Sequence, residues 1–130
     1  MSDAARPEPA ATIPDAISAS MRQVTSLLPI AAAVTYTTSG SSSLRAARER
    51  PAAPIVSMAA NVETSRRLTL AWSIHSTQVS AISTLDEVST YACEAALREG
   101  FASKGDTIVV AAGTPVGVSG TTNMLKILGV

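Results

Sequence analysis

Aromatic side chains are scarce, 3% of the 130 residues, with one Trp, one Phe and two Tyr. A core of stacked rings is excluded, so the 46% of hydrophobic residues, mostly Ala, Val, Leu and Ile, must pack as aliphatic layers. Cysteine is nearly absent. Cys93 has no partner for an internal disulfide, and its place in the apolar stretch from Tyr91 to Leu97 reads as a buried, inert thiol in a reduced compartment. Net charge is missing too: ten basic residues balance ten acidic ones. No long-range field draws the domain to nucleic acid or to an anionic membrane. The longest apolar run, Leu27 to Val34, is broken by Pro29 and falls far short of the roughly 20 residues that span a bilayer. The opening MSDAARPEPA carries acids and prolines where an export signal needs positive charge and then an apolar run, which points to the cytoplasm.

Catalytic chemistry is equally thin. The one histidine, His75, has no nucleophile or acid at a useful local spacing and reads as structural. Asp86 and Glu87 are adjacent, so on a helix they diverge and form no carboxylate pair. No base, nucleophile or metal-ligand cluster supports a small stand-alone enzyme.

What remains is the material of one domain. Residues 1–13, rich in Pro, Ala and charge, read as a leader or linker remnant, and the fold is expected over 14–130. From Pro14, Ile17, Met21, Val24 and Leu28 recur at helical spacing until Pro29 stops the pattern. Ala31 to Tyr36 reads as a buried strand, Ser41 to Arg50 as a helix ended by Pro51, and Ile55 to Met58 as a second strand. Asn61 caps a helix to about Leu70, and Ile74 to Val79 is a third strand. Thr84 with Glu87 three residues on is a capping box for a helix to Leu97, closed by Gly100. Thr107 to Ala112 and Thr122 to Val130 complete the set. Their short connecting loop favours an antiparallel return.

Strands alternating with helices predict an α/β fold: a three-layer α/β/α sandwich on a five-stranded, mostly parallel sheet whose last strand is antiparallel. Ligands gather outside the carboxyl ends of such strands. Two loops there carry free N–H groups and hydroxyls, Thr37 to Ser43 and Gly113 to Thr122. In the first, Gly40 permits close approach, and the N–H groups opening the following helix favour an anion. Hydroxyls of Thr37, Ser39, Ser42 and Ser43 suit a phosphate better than a metal, and Arg45 lies one turn away. The plain alternative is a helix cap that binds nothing. In the second, Gly113, Gly117 and Gly120 match neither the dinucleotide fingerprint nor the P-loop.

The segments TTSGSSSLRAARERPAAPIVSM, ETSRRLTLAWSIH and GDTIVVAAGTPVGVSGTTNMLKI, with the KGD strand opening and the SGTTN loop in register, resemble the C-terminal α/β domain of bacterial pyruvate kinases. That resemblance implies a regulatory and subunit-contact domain of a tetrameric enzyme that transfers phosphate from phosphoenolpyruvate to ADP. It implies no cofactor in this domain, since the family's magnesium and potassium ligands and its catalytic lysine lie on a TIM barrel absent from these residues. The chain alone is then catalytically silent, and RPEP looks like the linker leaving that barrel.

The resemblance further implies that Thr37, Ser39, Gly40, Ser41 and Ser42 hold an effector phosphate, with Gly117, Ser119, Gly120 and Thr121 folding over it. Members that take fructose bisphosphate add a Trp and an Arg after the third strand. This sequence has VSAISTLDEVS there, with neither, and Trp72 falls too early to serve. A sugar monophosphate or a nucleotide is the implied effector. The implied partners are other copies of the chain and the barrel, without nucleic acid or membrane. The alternative is a purely structural domain that holds subunits together and takes no effector.

Overall fold

The computed structural model describes residues 12–37, 40–69, 74–80, 82–113, 116 and 122–130. Trp72, Ser39 and most of the Gly113 to Thr122 loop lie outside them, as does the leader up to residue 11.

Helix α1 (Ile13–Leu27) is followed by β1 (Ile30–Thr37), α2 (Ser41–Arg48), β2 (Ile55–Ala59), α3 (Val62–Thr69), β3 (Ile74–Gln78), α4 (Leu85–Arg98), β4 (Thr107–Gly113) and β5 (Thr122–Gly129). Local chemistry sets most of the boundaries. Thr12 caps α1 just ahead of Pro14, whose missing N–H costs nothing in the first turn. Asn61 Oδ1 accepts the Thr64 N–H at 2.8 Å. Thr84 and Glu87 form the capping box expected of them. Helix α2 ends two residues earlier than the sequence pattern reaches, because Arg50 turns left-handed, at φ 54°, ahead of Pro51.

The five strands run in the order β3-β2-β1-β4-β5. β1 pairs in parallel with β2 and β4, β2 with β3, and β5 returns antiparallel along β4. The central strands β1, β2 and β4 are buried on both faces, which is why they read as mainly apolar runs. On one face Ala32, Val34, Val56, Met58, Ile108 and Val110 meet α4. That helix offers Val88, Ala92, Ala95 and Ala96, and the three alanines let its backbone approach the sheet closely. On the other face Ala33, Ile55, Val109 and Ala111 meet α1 and α2 through Met21 and Ala46.

Helix α1 departs from its sequence pattern. Its buried positions are Asp15, Ser18, Met21 and Thr25, while Ile17 and Val24 flank them half-buried and Leu28, beyond the helix end, is exposed. The face turned inward is largely polar because it meets α2 and the chain that follows α2. Asp15 Oδ2 accepts a hydrogen bond from the Thr12 hydroxyl at 2.6 Å, Asp15 Oδ1 pairs with Arg45 Nε at 2.9 Å and Arg48 Nη2 at 3.4 Å, and Thr25 Oγ1 accepts the Ala52 N–H at 3.0 Å.

The Thr12 hydroxyl first, and the Arg45 guanidinium after it, hold the Asp15 carboxyl below its ordinary value against the opposing effect of burial. A depressed carboxyl pKa stabilises the fold above the unfolded-state value, and the contribution is lost as pH falls through the folded-state one. Acid titration of the thermal midpoint is therefore expected to show a loss below pH 3.8 that Asp15→Asn reduces. An unaltered acid limb in Asp15→Asn refutes the assignment.

Candidate functional site

The carboxyl ends of β1 and β4 lie side by side, with Thr35 in register with Ala111. At this pair the chain's connections diverge: β1 continues toward β2 and β3 through α2 and α3, whereas β4 is reached by α4 across the opposite face. Such a topological switch point opens a crevice outside the strand ends, where ligands of doubly wound sheets bind. Both loops singled out in the sequence leave from it, one after Thr37 and the other after Gly113.

The first enters α2 through Gly40, at φ 93°. The left-handed backbone suits glycine, and the position is also confined: an added Cβ would stand 3.4 Å from Leu68 Cδ2 and 3.6 Å from Thr64 Cγ2. The Gly40 carbonyl accepts the first helical bond, from the Leu44 N–H at 3.0 Å. Gly40 has no side chain to cap the helix. Helical geometry leaves the N–H groups of Ser41, Ser42 and Ser43 without an intrahelical acceptor, at the end where the dipole is positive. The Gly40 N–H is itself taken, donated to Thr37 Oγ1 at 2.7 Å.

Thr37 is 5% exposed and spends an acceptor lone pair on Gly40, which leaves its hydroxyl hydrogen as a donor. Ser42 is buried, and its hydroxyl makes a long, weak bond of 3.5 Å to the Tyr36 carbonyl. Ser41 opens α2. Ser39, Gly117, Ser119, Gly120 and Thr121 lie outside the described residues. The ends of the loop that holds the last four are defined: Gly113 pairs with Thr122, and Val116 packs against the α4 side of the core.

Two groups expected near a phosphate are turned elsewhere. Ser43 points into the sheet, its Oγ 2.8 Å from Thr35 Oγ1 and 2.6 Å from Ser57 Oγ. Arg45 reaches back to Asp15, because a buried carboxylate on α1 draws the guanidinium away from the turn. Cys93 is half-buried rather than buried, with Sγ 4.0 Å from the Gly129 carbonyl.

His75, read in the sequence as lacking a local acid, meets one from α4's C-cap: Nε2 lies 2.7 Å from Glu99 Oε1, and its ring lies edge-on to Phe101 at 5.0 Å. That contact, followed by Arg98, holds the Glu99 carboxyl below its usual range. Sequence reasoning missed the reach of Tyr36, whose hydroxyl accepts the Ile82 N–H at 3.2 Å and ties the segment after β3 to the end of β1. It also missed Thr35 and Ser57. Their signal was present, as hydroxyls inside otherwise apolar strands.

These features define a doubly wound α/β domain with a hydroxyl-rich helix start at its switch point. Residues 15–128 match the family described as pyruvate kinase, alpha/beta domain, and the chain belongs to that family. It is 40% identical over 124 residues to a pyruvate kinase of Methylorubrum extorquens, covering 95% of this chain and 26% of that protein. With a pyruvate kinase of Geobacillus stearothermophilus it shares 40% identity over 116 residues, 89% of this chain and 20% of that one. A crystal structure of a pyruvate kinase from Cryptosporidium parvum superposes with a TM-score of 0.81 at 23% identity, over 95% of this chain and 23% of that one, a likeness of fold. The chain thus spans a fifth to a quarter of the curated relatives' length. Among the described residues no helix is long and apolar enough to cross a membrane.

Proposed function

We propose that residues 14–130 act as the regulatory and subunit-contact domain of a cytoplasmic pyruvate kinase, and that the turn from Thr37 to Ser42 takes the phosphate of a sugar monophosphate or nucleotide. Transfer of phosphate from phosphoenolpyruvate to ADP would then belong to a catalytic barrel outside these residues. The observation that carries the reading is the uncapped start of α2 behind a left-handed Gly40, located at the β1/β4 switch point. A phosphate there accepts from the three N–H groups that lack an intrahelical acceptor and from the Thr37 and Ser42 hydroxyls. Its oxygens meet donors held by the helix start, and the Ser42 hydroxyl gives up only its weak bond to Tyr36.

Titration calorimetry of the chain with a panel of sugar monophosphates and AMP is expected to give saturable heat. Silence at millimolar ligand sinks the effector reading and favours a structural domain in which Thr37 only closes the turn. The subunit-contact role has separate support in β5, an edge strand whose Ile127 is exposed. Sedimentation is expected to show self-association, and a monomer at high concentration counts against that role.

A further inference from the structure

Thr35, Ser43 and Ser57 form a buried chain of hydroxyls that a phosphate at the turn does not touch. Thr35 on β1 and Ser57 on β2 are register partners. Ser43 descends between them from the first turn of α2, bonded to both, at 2.8 and 2.6 Å. All three are buried, Ser43 and Ser57 completely. Their neighbours on this face, Ala33, Ile55 and Ala46, are apolar. Hydroxyls in such surroundings are unfavourable unless bonded, and here each has a partner. What they add over apolar packing is direction, because a hydrogen bond constrains distance and angle whereas an alanine in the same place permits sliding.

The placement matters because Ser43 carries two functions on one residue. Its N–H is among those that lack an intrahelical acceptor at the helix start, and its side chain joins that start to two strands. On the other side of the turn, Thr37 Oγ1 holds the Gly40 N–H at 2.7 Å. Gly40, Ser41 and Ser42 are therefore suspended between two fixed points, one at each end. We infer that Ser43 is a positioning residue: through Thr35 and Ser57 it sets the angle at which the N–H groups of Ser41 to Ser43 meet an anion. This role rests on the reading of the turn as a phosphate site. A separate hydroxyl pair, Ser65 on α3 and Ser76 on β3 at 3.1 Å, joins to the same sheet the helix whose Thr64 and Leu68 border Gly40, and it serves as the control for loosening any hydroxyl link near the turn.

The test is titration of the 130-residue chain with inorganic phosphate, followed through the amide resonances of Gly40 to Leu44. Ser43→Ala and Ser57→Ala are each expected to weaken binding about 3- to 10-fold, the range carried by one net hydrogen bond. Ser65→Ala is expected to leave it unchanged, even at an equal loss of thermal stability. Hydrogen exchange adds a readout that general destabilisation does not move: in Ser43→Ala the Leu44 amide is expected to exchange about 10-fold faster while the β4 amides keep their protection. Unchanged phosphate affinity in Ser43→Ala overturns the role of Ser43 and leaves the site standing. Equal weakening by Ser65→Ala also overturns it, since the effect is then only lost stability. A parent chain that does not respond to phosphate overturns the site and the role of Ser43 with it.

Discussion

Gly40→Val is expected to abolish phosphate binding and to lower stability by about 2–4 kcal/mol. The left-handed backbone alone costs an L-residue roughly 1–2 kcal/mol, and β-branching aggravates it. The remainder comes from crowding, because the added Cβ already stands at van der Waals distance from Leu68 and Thr64, and its two methyl groups must enter space that those side chains fill. Relief comes by shifting the turn, which moves the N–H groups a phosphate needs.

Gly100→Val separates the two effects. Gly100 has the same hand of backbone, at φ 80°, with nothing within 4 Å of an added Cβ. There only the backbone strain applies, roughly 1–2 kcal/mol, and phosphate affinity stays at the parent value. Urea unfolding of the three proteins, alongside phosphate titration, makes the comparison. Parent-like binding in Gly40→Val removes the turn from consideration as the site.

Met21→Ala is expected to cost about 2–5 kcal/mol, the range for emptying a fully buried long side chain into a cavity. Met21 is 1% exposed and is the one fully buried hydrophobic residue of α1, since the other buried positions of that helix are Asp15, Ser18 and Thr25. Met21 is thus the one α1 side chain set fully into the sheet face, with Ile17 and Val24 half-buried beside it. Leu28→Ala is the contrast. Leu28 belongs to the same apolar repeat in the sequence but is 46% exposed past the helix end, and a change of within about 0.5 kcal/mol is expected. Equal thermal shifts from the two substitutions contradict this packing.

The contrast shows where periodicity stops being informative. The spacing of Ile17, Met21, Val24 and Leu28 located the helix correctly and pointed to roughly the right face. It could not show that the most buried line would be Asp15, Ser18, Met21 and Thr25, because that depends on α2 lying alongside with Arg45 and Arg48 thirty and more residues away. The same applies to the site. Gly40 was legible because a glycine between a strand and a helix has a local meaning. The inward aim of Ser43 was not, since Ser41, Ser42 and Ser43 are chemically alike and only the helical rotation over β1 and β2 distinguishes them. Thr35 and Ser57 stood out as polar residues in apolar strands, but their meaning required both strands in register.

The sequence by itself determined the number, order and nature of the elements. These depend on contacts within three or four residues: the Asn61 and Thr84 caps, the proline stops, the apolar runs of β1, β2 and β4, and the resemblance that those motifs carry in register. Only the tertiary structure decided the strand order β3-β2-β1-β4-β5, the switch point beside Thr37, the diversion of Arg45 to Asp15 and the hydroxyl chain beneath the turn. Each of these joins groups far apart in the chain. Their energies arise from burial and hydrogen-bond geometry that exist only after the layers have closed.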